Sequence, residues 1–149
     1  MREELDKLLC EKYPKMMVNR NKGMQETCMC WGFECGDGWF NILDQLMGNI
    51  QNHIDWKNRT EEVVPQVTLD QVKEKFGTLR FYYTGGDDYI RGMVTMAEAM
   101  SGTTCEGCGN PGERRGGGWV HTFCEPCETK RAEARRLADE EWQQRKLLK

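Results

Sequence analysis

The sequence predicts an α+β fold: a small antiparallel sheet packed with helices, plus a treble-clef or zinc-ribbon module and a C-terminal helix. Three observations carry this. Residues 37 to 55 repeat apolar side chains at helical spacing. Two runs between Val67 and Tyr83 are β-branched and aromatic, with a Gly-containing turn between them. Cys105-Glu106-Gly107-Cys108 and Cys124-Glu125-Pro126-Cys127 form two Cys-x-x-Cys pairs joined by a glycine-rich connection.

In chain order, Arg2 to Lys12 is predicted as an amphipathic helix with Leu5, Leu8 and Leu9 on one face, ended by Pro14. Lys15 to Glu26 is polar and is expected to be loop with a short strand. The segment Cys28-Met29-Cys30-Trp31 alternates as a strand would. Cys28, Cys30 and Cys35, with Cys10 as a distant fourth, could form a second metal site. Their spacing matches no zinc knuckle, and they are read as small buried hydrophobes.

Asp37 is the expected N-cap of the central helix. Its apolar face is Trp39, Ile42, Leu43, Leu46, Met47, Ile50 and Ile54, and it ends near Trp56. Val67 to Lys73 and Leu79 to Tyr83 are the predicted strands, with Phe76-Gly77-Thr78 as the hairpin turn and Gly85-Gly86 closing the second strand. Asp87 to Ser101 is the next helix, with a stripe of Ile90, Met93, Val94, Ala97 and Met100. Residues 1–101 are thus expected as an α+β core. Gly102-Thr103-Thr104 is a short link, so residues 102–149 should be a zinc module packed on that core.

In this module, thiolates at Cys105, Cys108, Cys124 and Cys127 would hold one structural zinc ion. Glycines after the first pair permit the knuckle's sharp turn, and Pro126 suits the first turn of the helix that carries the second pair. Trp119 to Phe123 is a short strand. The competing interpretation is two disulfides, which requires an oxidising compartment. From Pro126 a helix runs toward Lys149, with Ala132, Leu137, Ala138, Trp142, Leu147 and Leu148 as sparse apolar contacts.

The 149 residues suffice for one domain, or for a core with an appendage. No apolar run approaches membrane-spanning length and Met1-Arg2-Glu3-Glu4 is not a signal peptide, so a reducing cytoplasm is the expected setting. A net charge of -3 argues against a general polyanion binder. Enzyme readings find little support. There is no phosphate-binding loop ending in Lys-Ser/Thr, no Gly-x-Ser-x-Gly and no His-Glu-x-x-His. His121 lacks a following histidine on the helix and is expected to pack or hydrogen-bond beside the metal. Gly85-Gly86-Asp87-Asp88 resembles a cyclase signature only superficially.

Three blocks carry a wider resemblance. They are Trp31-Gly32-Phe33-Glu34-Cys35-Gly36-Asp37-Gly38-Trp39-Phe40, the segment Gln71-Val72-Lys73-Glu74-Lys75-Phe76-Gly77-Thr78-Leu79-Arg80-Phe81-Tyr82, and the cysteine segment with Gly118-Trp119. Through them the chain resembles a family of small uncharacterised proteins of phages, prophages and bacteria, over most of residues 13 to 127. The resemblance implies a phage-associated setting, in which a compact protein binds and disables a protein complex of the host. Two functions follow as expectations. The first is a non-enzymatic binding protein that inhibits or modulates a host or defence complex. The alternative is a nucleic-acid-binding zinc protein that uses Lys73, Lys75, Arg80, Arg114 and Arg115, with Tyr82 or Trp119 for stacking. Clustering of those cations on one face favours the second; scatter among acids favours the first.

Overall fold

The computed structural model describes residues 1–60 and 62–147, Leu147 by its backbone alone. The predicted contacts of Leu147 and Leu148 therefore lie outside the described side chains. Among the described residues four α-helices, α1 (Glu3–Lys12), α2 (Phe40–Lys57), α3 (Asp88–Ser101) and α4 (Glu125–Leu147), accompany five strands. β1 (Phe33–Glu34), β2 (Thr68–Lys75) and β3 (Thr78–Thr84) form one sheet; β4 (Glu113–Arg115) and β5 (His121–Phe123) form a separate hairpin. The α+β class is as the sequence predicts. The larger sheet is not purely antiparallel, because β1 adds to β2 in parallel, with Phe33 beside Val72 and Glu34 beside Lys73.

Helix α2 forms because its apolar residues recur every three or four positions, and Leu43, Leu46, Met47, Ile50 and Ile54 are all buried. Each contributes about 2 kcal/mol of transfer free energy before entropy is charged. Packing against α3 and the inner sheet face (Leu69, Val72, Leu79, Phe81, Phe33) completes the core. Leu69 and Val72 both face inward although they are three residues apart. A bulge between Leu69 and Gln71 inserts one residue and resets the alternation, which is why the sequence of β2 alternates only partially.

Several sequence expectations are corrected here. Leu8 is exposed on α1, and Asp6 takes a buried place instead. Its carboxylate accepts from the Phe33 N–H at 2.9 Å and pairs with Arg20 at 3.2 Å. The predicted strand within Lys15 to Glu26 is absent and the segment is turns. Cys28–Trp31 is a 3-10 turn, not a strand: the Thr27 hydroxyl accepts from the Met29 N–H and closes it locally. Asp37 does not cap α2. It lies within a 3-10 turn, Asp37–Trp39, that precedes the helix, and its carboxylate accepts from the Arg2 N–H and pairs with the Arg2 side chain. Met100 is exposed on α3, which buries Ile90, Val94, Ala97 and Ser101.

The β2–β3 hairpin turns on two residues, Phe76 (φ 55°) and Gly77 (φ 77°). Positive φ at both central positions is the type I′ pattern that matches strand twist. Glycine tolerates it. For Phe76 the left-handed conformation costs about 1–2 kcal/mol, and its ring stays exposed, so burial does not offset that cost. At α3 the Asp87 carboxylate accepts from the Ile90 N–H at 2.9 Å, so Asp87 is the N-cap and not the first helical residue.

Candidate functional site

The cysteine pairs come together at one point. The Cys105–Cys108 knuckle follows α3 directly, and the second pair sits at the start of α4, so the β4–β5 hairpin folds the chain back to close the site. The sulfur atoms of Cys105, Cys108, Cys124 and Cys127 all lie within 4.8 Å of one another. Cys108 Sγ and Cys124 Sγ are 3.6 Å apart. Four thiolates around one zinc ion at about 2.3 Å define a tetrahedron with edges of about 3.8 Å, which this arrangement approximates. A disulfide would need sulfurs about 2.05 Å apart, and all eight cysteines are free.

The electrostatics point the same way. Burial works against ionising Cys105, but hydrogen bonds from the backbone of Cys124 and Cys108 outweigh it and bring the thiol down to about 7. Burial, followed by the neighbouring thiols, pushes Cys127 up to about 12. Four thiols in one pocket cannot all ionise unaided, and a divalent cation supplies the missing charge. The residues therefore fit a four-sulfur metal ion. It would contribute folding energy by joining the knuckle to α4, and with four protein ligands it would leave no open position for a substrate.

The other cysteines go elsewhere. Cys10 Sγ lies 3.5 Å from Asp6 Oδ1, and burial followed by the Asp6 charge raises that thiol to about 11. Cys30 donates to the Thr27 carbonyl, Cys28 is exposed and Cys35 is buried. Among the described residues they form no group that could hold a metal ion.

Contacts hold the cysteine module against the core. The Gly38 N–H donates to the Glu106 carbonyl at 2.8 Å, the Gly36 N–H to the Glu106 carboxylate at 2.9 Å, and the buried Trp39 indole to the Thr104 carbonyl at 2.9 Å. A Cβ on Gly38 would overlap the Cys105 carbonyl oxygen and stand 2.5 Å from the Gly109 nitrogen, so glycine is required by close approach. On the opposite side the Thr122 hydroxyl donates to the Gly77 carbonyl at 2.6 Å, and Arg114 Nη2 to the Phe76 carbonyl at 2.7 Å. His121 is buried, its Nε2 2.9 Å from Glu128 and its Nδ1 3.2 Å from the Trp119 carbonyl.

The predicted binding residues separate into two groups. Lys73 pairs with Arg80, Gln71 with Tyr82 and Lys75 with Thr78, so these six side chains share the outer face of the sheet. Glu34 borders this face beside Lys73 and accepts from Gln71 at 3.1 Å. The Lys73 ammonium lies 5.7 Å from the Tyr82 ring centroid, and the Lys75 ammonium 5.4 Å from that of Phe76. None of Lys73, Lys75, Arg80 and Arg114 is ion-paired among the described residues, in contrast to Lys12, Lys15, Arg20 and others. Arg115 belongs to the module's interior bonding. It pairs with Glu125 at 2.8 Å and donates to the Phe123 carbonyl at 3.1 Å. Trp119 is exposed on the β4–β5 connection.

Sequence reasoning missed an apolar groove between α2 and α3, about 730 Å³ in volume and lined by Ile42, Leu46, Tyr89, Met93, Met96 and Met100. Met93 and Met100 fall on the helical stripe and look like core from spacing alone, and Met96 lies outside that stripe. No helix among the described residues is long and apolar enough to cross a membrane. No family model, curated protein or solved structure matches the chain.

Proposed function

We propose that the chain is a non-enzymatic zinc-containing binding protein whose working surface is the outer face of the sheet, and that this face takes nucleic acid. The observation that carries it is the gathering of Lys73, Lys75 and Arg80 on one face, unpaired and next to Tyr82. An overall charge of -3 argues against binding over the whole surface but leaves a local cationic face open to phosphate, because charges beyond about 8–10 Å are screened. Zinc is the ion proposed for the four cysteines, since thiolate ligands in tetrahedral array favour it. Its role is structural: it fixes the module that braces the hairpin tip through Arg114 and Thr122.

Affinity for an oligonucleotide, measured against salt concentration, tests this. Three to four phosphate contacts predict a log–log slope of about -2 to -3 on a single strand. Lys73→Ala combined with Arg80→Ala should make the slope shallower by about 1.4. Unchanged affinity and slope in that double variant would remove the face from consideration.

A second reading is favoured by the α2–α3 groove, whose methionine lining suits a protein partner. It is the inhibitor of a host or defence complex, in the host cytoplasm, that the phage resemblance implies. Capture of a protein complex that survives nuclease treatment and is lost on Met96→Glu would place the function there.

A further inference from the structure

We infer that Phe76, at the tip of the β2–β3 hairpin, is a stacking surface for unpaired bases, so that the nucleic acid bound by the outer face is single-stranded; this rests on the nucleic-acid reading above. The first central position of a type I′ turn is where Asn, Asp or Gly is expected. Here it holds an aromatic residue in a left-handed conformation, φ 55°, with 60% of its surface exposed. Neither local geometry nor burial accounts for that choice. An exposed and strained residue points to a use of the side chain outside the fold.

The surroundings specify that use. Two rings each lie near an ammonium group, Tyr82 on this face near Lys73 and Phe76 at the hairpin tip near Lys75. Phe76 lies five residues along the hairpin from the Gln71–Tyr82 pair, about 16 Å at 3.3 Å per residue, room for a few nucleotides in extended form. A base stacked on either ring would bring its backbone phosphate toward the neighbouring lysine, and Arg80 lies between the two. In a duplex the base faces are covered by their neighbours, so these rings would find no partner there. An acidic peptide could satisfy the lysines but would leave both rings unused. Arg114 braces the tip from the metal module through the Phe76 carbonyl, so the platform is held rather than free.

The test uses the full zinc-loaded chain, a labelled oligothymidylate of about 12 nucleotides, a duplex of equal length and a polyglutamate competitor. Wild type should prefer the single strand to the duplex and ignore polyglutamate. Phe76→Asn should raise Tm, because Asn-Gly suits this turn, while weakening single-strand binding about five-fold or more with duplex binding unchanged. Phe76→Tyr should retain single-strand affinity. Opposite signs in stability and binding distinguish stacking from a structural role. If Phe76→Asn leaves single-strand affinity unchanged, or lowers single-strand and duplex affinity equally, stacking is overturned while the nucleic-acid reading stands. If Lys73→Ala with Arg80→Ala also changes neither affinity, or polyglutamate competes as well as the oligonucleotide, the nucleic-acid reading itself falls.

Discussion

Asp44 shows how one residue ties two helices together. Its carboxylate accepts from Lys12 at 2.7 Å and from the Tyr13 hydroxyl at 2.7 Å, joining the end of α1 to α2. Burial works against its charge, but these two donors outweigh it and hold Asp44 below the usual carboxylate range. A depressed carboxylate stabilises the fold above its unfolded pKa, near 3.9, and that stability is lost as pH falls through the lower folded value. Asp44→Asn should therefore cost about 1 kcal/mol at neutral pH, and the gap from wild type should close in acid, as read by denaturant melts across pH. The cysteines were the most legible residues in the sequence, because thiolate geometry constrains spacing. Asp44, Asp6 and Phe76 were not, because their roles depend on contacts across 14 to 32 residues or on a dihedral angle.

Elements were legible where a period dominated and illegible where a side chain intervened. α2, α3 and the β2–β3 hairpin follow from apolar spacing and turn chemistry. Cys28–Trp31 did not, because the Thr27 hydroxyl favours a local turn over a pairing that alternation alone would predict. β1 is two residues long and was invisible for that reason. The junction between the 3-10 turn at Asp37–Trp39 and the cysteine knuckle gives a separable prediction. Gly38→Ala collides with the backbone of Cys105, Cys108 and Gly109, while all four thiolates remain. Metal content should stay unchanged, and amide exchange at positions 36 and 38, whose N–H groups donate to Glu106, should speed up as the module lifts from the core. Loss of metal in that variant would mean that docking and metal binding are one event.

Across the whole molecule, stability has two sources. The core built on α2 is apolar, and Leu43→Ala should cost about 2–5 kcal/mol whether or not metal is bound. The cysteine module buries few large apolar side chains, and α4 is exposed from Ala132 through Lys146, so metal must supply much of its order. Lowering pH reprotonates thiolates, and a chelator removes the ion. Either treatment should release hydrogen-exchange protection from residues 105–127 before it touches α2. The most direct measurement is the mass of the intact chain under native conditions, for wild type and Cys108→Ser. One zinc per wild-type chain, lost in the variant, is the expected result. A metal-free wild-type chain, or one lighter by the hydrogens of two disulfides, would contradict it.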